Sequence, residues 1–325
     1  MFNKKMFTVT EAILDNPGKS ISYDDACALS TFTGSDVMDL LMCANKIRNR
    51  YRKDEPVVCS IINAKSGLCS QDCAFCSQSA HHKTNVSIYP LLSEDKLVTT
   101  AISKFKAGAR RFSMVTSGYM LTDGEIDRIS SAAGNIIKRT ELTVCASLGI
   151  LTAPMARKLK EGGIAVYHHN LETARSYFDR VCTTHHYEED IETITSAKSA
   201  GLRVCSGGIL GLGETWEQRV ELAFMLKELN VDGIPINFLN PIPGTRMEAR
   251  PVMNPMEALK CIALFRLINP EKDILVCGGR EITLRDYQSW IFTAGANGMM
   301  IGNYLTTQGR NAQMDIDMIK VVFPQ

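Results

Sequence analysis

No apolar run in the sequence approaches the roughly 18 residues that a membrane-spanning helix requires, and the stretch MFNKKMFTVTEAILDNPGKS lacks a continuous apolar segment of the secretory kind. Those two absences point to a cytoplasmic chain with no membrane partner. An excess of one charge is missing too: 36 Lys and Arg oppose 35 Asp and Glu. This leaves no basic footprint for nucleic acid and favours small, locally bound partners. No Pro/Gly/Ser-rich linker, low-complexity tract or obvious repeat divides the 325 residues, so one barrel of roughly 250 residues with extensions is open to the chain. Cysteine is what the sequence does not lack. Eleven of them, an odd number in a chain far longer than a small secreted disulfide domain, fit a reducing compartment and metal ligation.

Eight short apolar runs recur: VVCSII (57–62), RFSMV (111–115), LTVCAS (142–147), IAVYHH (164–169), LRVCS (202–206), GIPIN (233–237), DILVC (273–277) and GMMIG (298–302). Between them lie amphipathic stretches such as LVTTAISKFKAGA, PMARKLKEGG, DIETITSAKSAG, TWEQRVELAFMLKEL and PMEALKCIALFRLI, several closing at Gly as helix C-termini do. Near-continuous apolar strands alternating with helices need cover on both faces, which a parallel sheet closed by crossover helices supplies. The expected fold is α/β, a TIM-type (β/α)8 barrel over residues 51–325, preceded by an N-terminal helical extension over residues 1–50.

The first run is followed by CSQDCAFCSQS, residues 69–79. Cys69, Cys73 and Cys76 would therefore sit at the C-terminal mouth of the barrel, where barrel active sites lie. Three soft thiolates fall one short of a closed tetrahedral site. A zinc site would recruit His81 or His82 as the fourth ligand. A four-iron cluster (4Fe-4S) held by three thiolates instead leaves one iron open to a small molecule, the counterpart of the vacant position on a catalytic metal.

In that context the loop resembles the CxxxCxxC loop of the radical S-adenosylmethionine (SAM) enzymes, whose open iron chelates SAM before its reductive cleavage to a 5'-deoxyadenosyl radical. Phe75 matches the aromatic position beside adenine. Further motifs are YHHNLET (167–173), RVCSGGILGLGET (203–215), PINFLNPIPGT (235–245), GGRE (278–281) and AGANGMMIGNYLTT (294–307). Together they resemble the biotin synthase family, in the same order, from about residue 55 to residue 310. The resemblance implies conversion of dethiobiotin to biotin, with sulfur taken from an auxiliary iron–sulfur cluster and electrons from a flavodoxin- or ferredoxin-type protein, commonly in a homodimer. Residue by residue, it implies that Asn170 and Glu172 hold the SAM ribose and approach the substrate ureido ring, with Glu172 standing where a shorter acid is usual. Gly207, Gly208 and Ile209 would line SAM, Asn237 and His168 would meet the ureido group, and Thr306 and Thr307 the substrate carboxylate. His168 stands where an Asn is usual. No general acid or base is implied for the hydrogen abstraction.

The auxiliary site departs from the family pattern. Its usual 2Fe-2S cluster takes three cysteines and an arginine; Cys145 and Cys205 match two of the cysteines, but Ser113 and Leu275 stand at the other positions. A neutral hydroxyl and an alkyl chain are poor iron ligands. Two cysteines occur elsewhere instead: Cys59 in the first strand, and Cys277 two residues beyond Leu275 and so on the same face. Alternate strands line a barrel interior in layers, so Cys59, Cys145, Cys205 and Cys277 are expected to converge inside. The expectation is a rebuilt auxiliary cluster, four-iron with an additional sulfide for transfer; the alternative is four buried core cysteines, since a free cysteine packs as a small apolar side chain. Cys182, near the mouth, is a possible substitute for one of the four. Cys27, Cys43 and Cys261 lie on helical patterns and read as packing, and Arg280 either charges the pocket or pairs with an acid. Two alternatives remain at this point: another radical SAM barrel of the maturase kind, and a colourless binding module holding structural zinc.

Overall fold

The computed structural model describes residues 4–52 and 56–323. Nine parallel strand segments form one sheet: β1 (Val57–Lys65), β2 (Arg111–Thr116), β3 (Thr143–Ser147), β4 (Val166–His168), β5 (Arg203–Cys205), β6 (Gly208–Leu210), β7 (Gly233–Phe238), β8 (Asp273–Val276) and β9 (Gly298–Met300). Its order is β5-β4-β3-β2-β1-β9-β8-β7-β6, and β5 also pairs with β7. β5 and β6 thus lie end to end and fill one position, so the barrel closes with eight, and all eight expected strands are present. The break falls at Ser206–Gly207, inside what the sequence presents as a glycine-rich turn. A Cβ at Gly207 would stand 1.9 Å from Pro235 O, and one at Gly208 would stand 2.5 Å from Glu172 O. The backbones of three neighbouring segments are pressed together there, and only glycine fits.

Strand alternation sorts the side chains. Val58, Phe112, Met114, Val144, Tyr167, Val204, Ile234, Ile274 and Met299 join the main core between sheet and helices. The alternate set turns inward, with Val57, Cys59, Leu275 and Cys277 packed as one small group beside Met300, and Cys145, Val166 and Cys205 as another.

Helices Lys4–Asp15, Tyr23–Ser30 and Ser35–Tyr51 precede β1. The third packs against Pro255–Ile268, in which every residue from Ala258 to Ile268 is buried. A helix apolar around its circumference needs cover on all sides, and barrel and N-terminal helices provide it. Lys260 stitches the seam: its Nζ donates to Ser30 O at 2.6 Å and Phe32 O at 3.0 Å. No helix among the described residues is long and apolar enough to cross a membrane.

Candidate functional site

β1 runs directly into the three-cysteine loop. Gly67 and Leu68 both take positive φ and turn the chain back, after which Cys69 N donates to Gln78 O (3.0 Å) and Ala80 N to Cys69 O (2.8 Å). The Gln78 side chain accepts from Gly67 N and Ser66 Oγ, bracing the turn. His81 and His82 hydrogen bond through Nε2 and Nδ1 to the carbonyls of Ser70 and Cys76, so each ring is tied to the loop backbone. All three cysteines are free thiols, half-buried, at one rim of a shared cavity. Phe75 lines the same rim and packs beside Ile209 and Leu212.

Asp72, between the cysteines, anchors the loop to the segment after β4. It accepts from Thr183 N (2.8 Å) and Thr183 Oγ1 (2.6 Å) and meets Arg246 at 3.4 Å. Burial pushes its carboxyl up, but the hydrogen bonds from Thr183 and Cys182 and the Arg246 charge outweigh that and hold it well below the ordinary carboxylate range. Cys182 lies 3.8 Å from Cys73 Sγ and 3.2 Å from His185 Nδ1. Contacts with Cys73, His185 and Thr184 hold its thiol down to about 4. Asp190 in turn accepts from His169 Nε2 at 2.8 Å and faces His185 Nε2 at 3.4 Å. This Cys–His–Asp chain is absent from the sequence reading; only the short spacing of CTTHH hinted at it. It also puts Cys182 beside the mouth loop rather than among the four inward cysteines.

The cavity measures about 460 Å³. Asn170, Glu172 and Ile209 form one wall, while Gly207 and Gly208 are buried and do not line the cavity. Asn170 bridges: its Nδ2 donates to Glu172 Oε2 at 3.3 Å, and its Oδ1 accepts from Gly207 N at 3.2 Å. Glu172 takes φ +61, and its carbonyl accepts from Ile209 N at 2.8 Å. Burial, then the Asp190 charge, pushes the Glu172 carboxyl up to about 8. Asn237 spans β6 and the end of β8, donating to Gly208 O (3.2 Å) and accepting from Gly278 N (2.9 Å); its amide keeps one donor and one lone pair for a ligand. Thr306 and Thr307 line the cavity from beyond β9, with Thr306 Oγ1 2.9 Å from Ser77 Oγ of the cysteine loop.

Cys59, Cys205 and Cys277 line the inner end of this cavity together with Leu275. Cys145 is fully buried beside Cys205 and does not reach the cavity wall. Burial pushes Cys145, Cys205 and Cys277 up to about 12 and Cys59 well above the ordinary thiol value; Cys145, Cys277 and Cys205 each add to the rise at Cys59. Ser113 stands beside Cys145 in the β2–β3 register, and His168 beside Cys205 in the β4–β5 register. Ser113 Oγ and His168 Nε2 are buried without a hydrogen-bond partner among the described residues. Orphaned polar atoms next to clustered thiols fit a site that a bound group completes. Burial, aided by Arg111, pushes His168 down to about 4, so its ring is neutral. Arg280 points elsewhere and pairs with Asp315 at 2.8 Å and Glu281 at 3.2 Å. Among the described residues no group of three or more His, Cys, Asp and Glu side chains is arranged to hold a metal ion as it stands.

A model of the radical SAM superfamily matches residues 65–226, and one of the Biotin and Thiamin Synthesis associated domain matches residues 235–322. The chain is 60% identical over 312 residues to the biotin synthase of Syntrophus aciditrophicus (strain SB), covering 96% of each chain. It is 52% identical over 319 residues to that of Geobacter metallireducens, covering 98% of this chain and 96% of the relative. Among solved structures, methylornithine synthase superposes with a TM-score of 0.82 at 17% identity over 96% of this chain and 95% of its own. The FeFe-hydrogenase maturase HydG from Carboxydothermus hydrogenoformans gives 0.79 at 16%, over 98% and 82%. At such identities these two speak for the fold alone.

Proposed function

The chain belongs to the biotin synthase family of radical SAM enzymes, and from that premise we propose which of its residues hold the two iron–sulfur groups, SAM and substrate. The activity is sulfur insertion converting dethiobiotin to biotin. When bound, the cofactors supply a 5'-deoxyadenosyl radical for hydrogen abstraction from unactivated carbon and a sulfide for the new carbon–sulfur bonds.

Cys69, Cys73 and Cys76 are the ligands of the 4Fe-4S cluster, with Phe75 and Ile209 packing beside SAM and Asn170 and Glu172 holding its ribose. Glu172, protonated near neutral pH, offers a hydroxyl donor as well as an acceptor. Gly207 and Gly208 contribute by letting the backbone wall close up behind those side chains. Asn237 and His168 bracket the ureido ring, and Thr306 and Thr307 the substrate carboxylate. Cys59, Cys145, Cys205 and Cys277 hold the auxiliary cluster, four-iron with an additional sulfide, which replaces the family's 2Fe-2S site. The supporting observation is one cavity with the three loop thiols and Cys182 at its mouth, three thiols at its inner end and amide and hydroxyl groups between. Closed by the barrel wall, that space keeps water and stray hydrogen donors from the reaction.

The finer expectations keep their place in this reading: a flavodoxin- or ferredoxin-type electron donor, a homodimer, and a cytoplasmic location. The test is anaerobic reductive turnover with dethiobiotin, together with iron and sulfide counts on the C69A/C73A/C76A protein. Biotin formation by the parent and a four-iron remainder in the triple variant are expected. A triple variant without iron would refute the inner ligand set.

A further inference from the structure

β2 opens with a charged residue that faces the wrong way for a surface group. Arg111 stands beside Cys59 in the β1–β2 register, two residues before the inward Ser113 and so on the same face of the sheet. Its Nη2 donates to Asp273 Oδ2 at 2.8 Å, and both side chains are largely buried, 15% and 17% exposed. Asp273 is itself locked in place. Asn297 Nδ2 donates to its other oxygen at 2.9 Å, Asn297 Oδ1 accepts from Arg266 Nη2 (2.9 Å) and Ile274 N (2.8 Å), and Arg52 Nε lies 3.5 Å away. Asp273 also borders the thiols: it pairs with Gly233, which pairs with Cys205, and a Cβ on Gly233 would lie 2.7 Å from Cys205 Sγ and 3.6 Å from Asp273 Cβ. The Arg111 charge bears on Cys59, Cys145, Cys205 and His168 alike.

A buried group of four thiolates carries more negative charge than three thiolates and an arginine, and Leu275 returns none of it. Buried charge without a partner is costly. An arginine remains cationic in such surroundings, and its five N–H donors exceed what one carboxylate takes up.

We propose that Arg111, held by Asp273, is the fixed positive charge beneath the inner cysteines, a positioning residue that compensates their anionic iron–sulfur cluster and sets its reduction potential without ligating iron. The proposal rests on the reading of Cys59, Cys145, Cys205 and Cys277 as that cluster's ligands. Outer partners of this kind tune cluster potentials through charge and hydrogen bonds to sulfur.

The test uses full-length protein with C69A/C73A/C76A, so that only the inner cluster is present, and reads iron, sulfide and the midpoint potential in an anaerobic redox titration. R111M removes the cation and is expected to shift the midpoint to more negative potential with reduced loading. R111K keeps the charge and is expected near the parent. D273N leaves the arginine charge unopposed and is expected to shift the midpoint the other way, to more positive potential. A merely structural pair would not give shifts of opposite sign. If R111M fails to load, the D273N shift still decides. A midpoint unchanged or shifted negative in D273N, or unchanged in R111M, overturns the proposal. If the parent triple variant takes up no iron, the ligand reading itself falls; an inner cluster indifferent to Arg111 leaves that reading intact.

Discussion

Gly233 lies on β7 where that strand meets β5, and the absence of a side chain there leaves room for the Cys205 thiol, which a Cβ would approach to 2.7 Å. In a close-packed interior an added methyl forces a neighbour off its rotamer at a cost of about 1–3 kcal/mol. G233A is therefore expected to lose stability of that order, seen as a lower melting temperature, and, on the proposed ligand assignment, to retain markedly less inner-cluster iron, by iron assay on the Cys69/Cys73/Cys76 triple variant. Glu172 makes a second prediction at this scale. Burial raises its carboxyl from 4.5 to about 8, so the folded chain binds a proton that the unfolded chain has released over that interval. Its stabilising contribution is complete below pH 4.5 and is lost as pH rises through 8. Cluster-free protein should accordingly melt lower at pH 8.5 than at pH 6.5, and E172Q should narrow that difference; equal slopes for the two proteins would contradict the assignment. The inward facing of Cys59 and Cys277 was legible because side chains alternate along a strand. Gly233 and Arg111 were not: their importance depends on which residue of the next strand stands opposite, and a sequence does not print register.

At the scale of elements, the cysteine loop holds its shape through Asp72, which receives hydrogen bonds from Thr183 and Thr184 on the segment after β4. Without that carboxylate the loop loses its strongest side-chain tie to this segment and keeps the Ala74 N to Val181 O bond and the Gln71 contacts with Thr184 and His185, while the inner strands are untouched. D72A is expected to lose mouth-cluster iron several-fold faster than the parent when challenged with a chelator, and to keep its inner iron. Equal loss from both clusters would show that the loop is not held in this way. The spacing of Cys69, Cys73 and Cys76 and their place after the first strand were readable in advance, because both are local. The neighbouring Cys182–His185–Asp190 chain was not, since it forms only when the segment after β4 folds back on Cys73. The division of the fifth strand into β5 and β6 was likewise hidden, because GGILGLGE reads as a turn until Pro235 and Glu172 are seen to press on Gly207 and Gly208.

For the whole molecule, the closed barrel matters because it puts two thiol groups of different accessibility at opposite ends of one cavity. The mouth cysteines are half-buried and those at the inner end are buried. On the proposed ligand assignment, hydrogen abstraction and sulfur delivery are separable by mutation, since each would rely on thiols the other does not touch. C277S removes an inner thiolate while leaving the loop of Cys69, Cys73 and Cys76, the Asn170–Glu172 pair and Asn237 in place. Serine is close to cysteine in size, so the cavity changes little, but a neutral hydroxyl is a poor iron ligand. C277S is therefore expected to keep forming 5'-deoxyadenosine from SAM under anaerobic reduction while biotin falls at least tenfold, so that the ratio of the two products rises. If both products fell together, SAM cleavage would depend on the inner thiols, and the division of labour between the two ends of the barrel would have to be abandoned.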